Sequence, residues 1–344
     1  MSGIGLDISD RSIKYAELAR ANGILKLKRY GEKKIPVGVV EKGKIVDPQK
    51  MTDILSSLAK ELRLSFARVS LPEEQFYLYK TRIPKASGPD ARGTIELGLE
   101  ENIPIPAADT VFDFDLLWAP DDEYEVEVSA VAREMIESYL STFYGAGLTP
   151  TSLELEAAAS ARALIAKGDK NCYMIVDFGD TRTGISIVSY GVVVFTSTLE
   201  LGGSTLTQTI SKGLNISYEE AEKMKREHGL SMEGKDQEVF SMLISSVAAI
   251  KDEINCNFIY WHTHKDENGK DRPKIEKIIL SGGDSNLIGL SDYLSDGLRI
   301  KVEQANVWIN MGDPSRYVPD MNRADSLGYA TAIGLALADF KNDE

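Results

Sequence analysis

Gly5–Leu18 reads GLDISDRSIKYAEL. Ile4, Leu6 and Ile8 alternate with small or acidic residues, the pattern of a strand. Ser9-Asp10-Arg11-Ser12 forms a polar tip, and Ile13 to Leu18 leaves as a second strand. A tight polar tip turns a row of backbone N–H groups outward, and such a row can hold a phosphate chain. Asp7, one residue inside the turn, is placed to hold a hydrated Mg²⁺, which prefers one or two carboxylates together with phosphate oxygens. Taken alone, the stretch is an ordinary solvated hairpin. Ile175–Val188, IVDFGDTRTGISIV, repeats it: Asp177 aligns with Asp7, Val176 with Leu6, Phe178 with Ile8 and Asp180 with Asp10. An Asp-tipped hairpin used twice, so far apart, predicts two similar α/β lobes facing each other.

The 344 residues suffice for two or three domains. Acidic residues outnumber basic ones, 53 to 39, for a net charge of −14. That balance argues against nucleic-acid partners and unaided adhesion to anionic lipid. Cys172 and Cys256 both read as small core hydrophobes, with no CxxC site. The start, MSGIGLD, lacks a basic region and a long apolar run, and Leu327–Leu337 is too short to span a bilayer. The expected location is therefore cytoplasmic, with membrane contact only through a protein partner.

Along the chain, Asp47–Arg63 has helical spacing with a cap near Asp47-Pro48, and Phe66–Leu71 returns as a strand. Residues 72–147 change character: strand, helix, strand, strand, helix, read as an inserted subdomain. Leu153–Ala166 reads as an alanine-rich helix, and Leu327–Phe340 as a helix carrying Gly328, Ala330, Ala332 and Gly334. Glycine inside a helix costs about 1 kcal/mol, so a close crossing of these two helices is expected. Leu199–Thr207 ends a strand and opens a helix through Gly202-Gly203. Ser217–His228 has Ser217 as cap and Glu220 at the capping-box position. A long helix spans Phe240–Tyr260, and Ser281-Gly282-Gly283-Asp284-Ser285-Asn286 follows a short buried strand. His262 and His264 in WHTH alternate as on a strand, but lack a third ligand nearby, so a solvated hairpin is the better reading. Trp118, Tyr77 and Tyr79 are read as core or groove lining.

These motifs resemble the actin-like ATPase superfamily over nearly the whole chain, and within it the PilM family of type IV pilus assembly proteins. The resemblance rests on the two hairpins, on ELGGSTLTQTISKGLNISYEEAEKMK from Glu200 and on IILSGGDSN from Ile278. It implies a two-lobed fold of duplicated ribonuclease-H-like lobes with an inserted SHS2-type subdomain. The first lobe would comprise 1–71, 148–169 and 326–344, the insertion 72–147, and the second lobe 170–325. The family binds ATP with Mg²⁺ between its lobes and receives the N-terminal cytoplasmic tail of PilN, a single-span membrane protein. Self-association, contacts with pilus motor or platform proteins, and service in a related type II secretion system are further expectations.

By the same resemblance, Asp7 and Asp177 would face Mg²⁺, directly or through water. Ser9, Arg11, Ser12 and Lys14 would surround the phosphates from one lobe, and Asp177, Gly179, Arg182 and Thr183 from the other. Gly202 and Gly203 would lie near phosphates and ribose. Glu222 and Lys225 would flank ribose and adenine, and Gly282, Gly283 and Asn286 would cover the adenosine. Ser9 and Asp10 stand where the family more often has Gly and Ser, and an extra acid there would weaken nucleotide binding. Hydrolysis needs a residue that positions water. Glu154 and Glu156 are the candidates, with Glu156 preferred, and the expectation is at most a weak ATPase. A filament-forming protein like FtsA or MreB is the alternative, although the end ADFKNDE has no apolar face for an FtsA-type anchor.

Overall fold

A computed structural model describes residues 2–85, 91–118, 122–231, 237–266, 269–312 and 315–340. Strand β1 (Ser2–Ile8) turns through the Ser9–Arg11 tip into β2 (Ser12–Ala21), with Asp7 opposite Lys14 and Ile8 opposite Ile13. The tip is tight because the Ser9 N–H and hydroxyl both donate to the Ser12 carbonyl. β3 (Ile24–Lys34) pairs antiparallel with β2, and a small ribbon, β4 (Val40–Glu41) and β5 (Lys44–Ile45), leads to α1 (Pro48–Leu62). The Asp47 side chain caps α1 by accepting from the Lys50 N–H, with Pro48 at the first helical position. β6 (Phe66–Leu71) runs parallel to β1, and β10 (Thr149–Leu155) parallel to β6, giving the order β10-β6-β1-β2-β3.

The second half rebuilds this sheet. β11 (Cys172–Phe178), β12 (Thr183–Ser189) and β13 (Val192–Leu199) form an antiparallel meander; β14 (Ile275–Ser281) and β15 (Val302–Gln304) add in parallel beside β11. The order β13-β12-β11-β14-β15 reproduces the first sheet strand for strand. Asp177 pairs with Gly184 one step inside its tip, the register position that Asp7 holds opposite Lys14.

The inserted three-stranded sheet has the order β7 (Phe76–Pro84), β9 (Glu123–Ala132), β8 (Thr110–Trp118). Two short helices, α2 (Ala91–Leu97) and α3 (Leu99–Asn102), cover it, interrupted at Gly98 where one helix was expected. Ile83, Ile95, Leu99, Phe112, Val126 and Val128 give it a core of its own. Helix α4 (Arg133–Gly145), grouped with the insertion on sequence, instead buries Met135, Tyr139 and Phe143 among Met51, Leu55 and Val69 of the first lobe. Its apolar stripe finds a larger apolar surface there.

Pairing overrides propensity at LELE: Leu153 and Leu155 face Val69 and Leu71 of β6 as strand, so helix α5 (Glu156–Leu164) starts later than its composition suggests. In the second lobe, α6 (Gly203–Leu214), α7 (Tyr218–His228), α8 (Gln237–Thr263) and α9 (Leu290–Leu298) enclose a core around Leu206, Leu243, Ile250 and Trp261. Ser217 and Glu220 close a capping box on α7. Trp261 and His262 lie in the last turn of α8 rather than on a strand, with His262 Nδ1 2.9 Å from the Phe258 carbonyl oxygen. Cys172 is buried as expected, but Cys256 is exposed on α8. The Trp118 side chain lies outside the described residues.

The chain closes with α10 (Arg323–Ser326), a 3₁₀ turn and α11 (Ala330–Leu337). Here α5 and α11 cross in close backbone contact. A Cβ on Gly334 would stand 1.8 Å from the Ala159 carbonyl oxygen, and one on Gly5 of β1 2.2 Å from that of Ala332. The Ser160 and Thr331 hydroxyls meet at 2.8 Å inside the crossing. Among the described residues, no helix is long and apolar enough to cross a membrane.

Candidate functional site

The two hairpin tips face each other across a cleft floored by the start of α5. Asp7 is buried, and its Oδ1 accepts from the Ser70 hydroxyl, which in turn accepts from the Ile8 N–H. This chain fixes the carboxyl at the end of β1. Burial pushes the Asp7 pKa up, while the Lys14 ammonium and the Ser70 bond pull it down. Asp177 is raised to about 7, first by burial and then by the Glu156 charge. Glu156, the first residue of α5, is also raised to about 7, again mainly by burial. Glu73 and Glu74 stand in the single turn between β6 and β7, and the Glu73 carboxyl is raised well above the ordinary range by burial and by Glu156.

Two cations serve these five carboxyls. The Lys14 ammonium lies over the Tyr329 ring, 5.7 Å from its centroid, and its field lowers both Asp7 and Asp177. Arg182, on the second tip, donates from Nη1 to Glu74 at 2.9 Å and from Nη2 to Glu156 at 3.2 Å. Nη1 also stands 3.7 Å from Asp10. The Arg182 side chain is only 13% exposed. Burial opposes its charge, and the carboxylates around it more than offset that.

The expected residues fall into distinct roles. Ser9, Ser12, Lys14, Asp7, Asp177, Gly179 and Arg182 sit at or beside the tips. The Gly179 N–H donates to the Arg182 carbonyl and its carbonyl accepts from the Gly203 N–H, which ties the second tip to the start of α6. Arg11 lies in the first tip, where its carbonyl accepts from Ile35. Thr183 departs from expectation. It is fully buried and its hydroxyl donates to the Leu201 carbonyl, so it holds the wall and does not present itself to the cleft. Asp10 also departs. Its carboxylate accepts the Lys42 and Gly43 N–H groups of the β4–β5 ribbon, so the extra acid anchors that ribbon while its Oδ1 stays 3.7 Å from Arg182 Nη1. Glu154 is removed from the cleft altogether, bound by Arg68 and Arg162 on the far side of β10.

A second cluster lies at the mouth of α6. Lys225 is 2% exposed and donates to the Gly203 carbonyl at 3.2 Å and to Asp284 Oδ1 at 2.6 Å, with Glu222 at 2.9 Å. Burial alone would lower its pKa; Asp284 and Glu222 reverse the sign. The Thr207 hydroxyl donates to Glu222. Gly203, Glu222, Lys225 and Gly283 are thus brought together, with Gly202 packed on the second tip. A Cβ on Gly203 would strike the Asp284 carboxyl, and one on Gly282 would stand 2.4 Å from Asp177 Oδ1. Gly282 has φ +86°, which a side chain would also strain. A Cβ on Gly283 would meet nothing within 4 Å, so the turn presents bare backbone to open space. Asn286 serves to pin the turn, donating to the Gly283 and Ala324 carbonyls. Sequence reasoning missed Ser70, Glu73, Glu74 and Asp284. Asp284 lay inside a motif already singled out, whereas the Glu73-Glu74 pair offered no local signal.

These features fit a nucleotide with a hydrated cation. There is a bare-backbone cradle with converging cations, and more carboxylate than those cations neutralise. Among the described residues no three His, Cys, Asp or Glu side chains group closely enough to hold a metal ion by themselves. A cation here would draw its remaining ligands from phosphate and water.

The model of the family described as "Type IV pilus assembly protein PilM" matches residues 5–340. The cell division protein FtsA of Staphylococcus epidermidis is 25% identical over 198 residues, 51% of this chain and 37% of that protein. The chain thus spans well under two thirds of that relative's length. Among solved structures, a PilM–PilN type IV pilus biogenesis complex superposes with a TM-score of 0.78 at 22% identity, covering 98% of both chains. MreB5 of Spiroplasma citri bound to ADP superposes with a TM-score of 0.57 at 14% identity, covering 90% of this chain and 93% of that one. The fold is therefore the two-lobed actin-like ATPase fold.

Proposed function

The chain belongs to the type IV pilus assembly protein PilM family, and from that premise we propose that it binds ATP with Mg²⁺ between its lobes and couples that cleft to a PilN-like partner. The observation that carries the reading is the facing pair of Asp-tipped hairpins, Asp7 with Lys14 and Asp177 with Arg182, in a chain whose residues 5–340 the family model matches. The nucleotide supplies a phosphate chain and its cation supplies positive charge among the carboxyls. The protein's own residues do the rest. Asp7, held by Ser70, and Asp177 orient the hydrated cation. Ser9, Ser12, Lys14 and Arg182 grip phosphate oxygens, and Lys225 fixes Gly203, Glu222 and Asp284 as one wall for the nucleoside. Glu156 is the group that would position water. Its carboxylate is already engaged by Arg182, which draws it away from a water, in keeping with binding and switching rather than rapid turnover.

The partner is the N-terminal cytoplasmic tail of PilN, which would hold the protein at the inner membrane within the assembly platform. Tyr77, Leu97 and Leu116 of the inserted sheet and its helices are exposed, which supports this subdomain as the docking face. Two measurements test the reading. Purified protein is expected to carry or bind adenine nucleotide with Mg²⁺, and Asp177→Ala to lose it. A synthetic PilN-tail peptide is expected to bind, and Tyr77→Ser with Leu116→Ser to weaken it. Nucleotide binding unaffected by Asp177→Ala, or peptide binding indifferent to both insertion changes, would sink the respective half. The likeness to FtsA and MreB favours nucleotide-dependent filaments as a second reading; sedimentation with and without Mg·ATP separates the two.

A further inference from the structure

Arg182 does not reach only toward the cleft. Its partner Glu74 belongs to the one-turn helix Glu73–Gln75 that leads directly into β7, an edge strand of the inserted sheet. That turn is wedged between the lobes. The Glu73 carboxyl packs so closely on Gly184 of β12 that a Cβ there would stand 2.1 Å from Oε1. Gln75 donates to the Lys42 carbonyl, and the Lys42 ammonium pairs with Glu200 after β13. Beside the Arg182–Glu74 pair is a cavity of about 440 Å³ between Asp10, Glu74, Arg182, Thr198 and Glu200. Two buried oxygens on its wall, Glu74 Oε2 and Thr198 Oγ1, have no hydrogen-bond partner.

We propose that the Arg182–Glu74 ion pair is a latch by which phosphate in the cleft releases the root of the inserted subdomain. The inference rests on the nucleotide reading above. The guanidinium is a rigid fork that binds phosphate in the same two-pronged way as carboxylate. Nη1 now serves Glu74 and Asp10, and Nη2 serves Glu156, so a phosphate must compete with carboxylates for Arg182. Glu74 is the partner with somewhere to go. One of its oxygens is already unsatisfied, and the adjoining cavity gives the freed side chain room and water. Asp10 is held by two backbone N–H groups and Glu156 is fixed at the start of α5. Movement of Glu74 is movement of the residue two places before β7. Coupling is reciprocal, so a partner that draws the turn away from Arg182 raises nucleotide affinity by the same factor.

The test uses the full chain and Mg·ATP. Glu74→Gln removes the competing charge and keeps the shape, so it is expected to tighten Mg·ATP by about fivefold or more. Glu200→Gln removes the same charge from the same cavity without touching Arg182, and is expected to change affinity less than twofold. Equal tightening in both variants, or none in Glu74→Gln, overturns the latch. Hydrogen exchange on the unaltered protein is a second readout that needs no variant. Residues 73–84 are expected to exchange faster with Mg·ATP than without, and an unchanged or slowed rate there overturns the proposal. A wild-type chain that binds no nucleotide at all refutes the reading of the previous subsection instead, and the latch falls with it.

Discussion

Gly334→Ala isolates the α5–α11 crossing because two effects of opposite sign compete. Alanine is the better helix former by about 1 kcal/mol, so in a loose setting the change would stabilise the protein. In this structure the new methyl would stand 1.8 Å from the Ala159 carbonyl oxygen. An ordinary carbon–oxygen contact is about 3.3 Å, so the helices must part by ~1.5 Å. That separation breaks the 2.8 Å contact between the Ser160 and Thr331 hydroxyls and leaves two buried polar groups short of a partner. Overpacking of this kind costs about 1–3 kcal/mol, and an unsatisfied buried hydroxyl about 1–3 kcal/mol more. Less the propensity gain, the expected net loss is about 1–5 kcal/mol. For a chain of this size the thermal midpoint should fall by roughly 1–7 °C. Differential scanning calorimetry on the ligand-free protein reads this directly. Gly283→Ala is the companion, since its Cβ meets nothing within 4 Å and its midpoint should stay near that of the parent. An unchanged or raised midpoint for Gly334→Ala would refute the close crossing.

Other expectations follow from the cleft. Asp177 and Glu156 titrate near 7 in the folded chain, against about 4 when unfolded, so folding takes up protons between those values. Stability from these groups is greatest at low pH and is lost as pH rises through about 4 to 7. The ligand-free midpoint should therefore rise from pH 8 to pH 6, and Glu156→Gln should flatten that slope. Ser70→Ala removes the partner of both Asp7 and the Ile8 N–H, with an expected loss of about 1–3 kcal/mol in urea unfolding. Lys225→Met strands Asp284, while Glu222 keeps Arg226 and the Thr207 hydroxyl, and should cost about 3–5 kcal/mol. Adding Asp284→Asn should recover part of that loss, and strictly additive losses would count against the ion-pair network.

What could be read before folding was chemistry that is local in the chain. A hairpin tip declares itself because Asp, Ser and Gly compete for backbone hydrogen bonds over a few residues. The Asp7/Asp177 alignment therefore survived into the same register in both sheets. Gly334 and its small neighbours were legible for a similar reason, since an interior helix glycine is costly unless a backbone passes close by. Glu73 and Glu74 were not legible. Their sequence, LPEEQ, is an unexceptional acidic turn, and only the docking of that turn on β12 aims it at Arg182. Leu153–Leu155 failed in the opposite way, because good helix formers were claimed by parallel pairing with β6. Asp10 was placed in the right tip with the wrong neighbour; the β4–β5 ribbon that claims its carboxylate lies more than thirty residues downstream.

The charge balance of the cleft turns on the Glu73-Glu74 pair that the local sequence did not reveal. Asp7, Glu73, Glu74, Glu156 and Asp177 share one enclosed region with Lys14 and Arg182. A bare phosphate chain entering there meets net negative charge in a poorly solvated site, where Coulomb repulsion is stronger than in water. Raised carboxyl pKa values are the protein's own relief in the absence of a ligand, since a bound proton cancels charge that solvent does not. On the proposed function a divalent cation would do the same for Asp7 and Asp177, and its phosphate would then meet cations instead of carboxylates. In the proposed latch, Arg182 would complete the exchange only by giving up Glu74. Filling the cleft and loosening the root of the inserted sheet thus draw on a single guanidinium. On the proposed function, a bound nucleotide would then set the posture of the inserted subdomain even without hydrolysis.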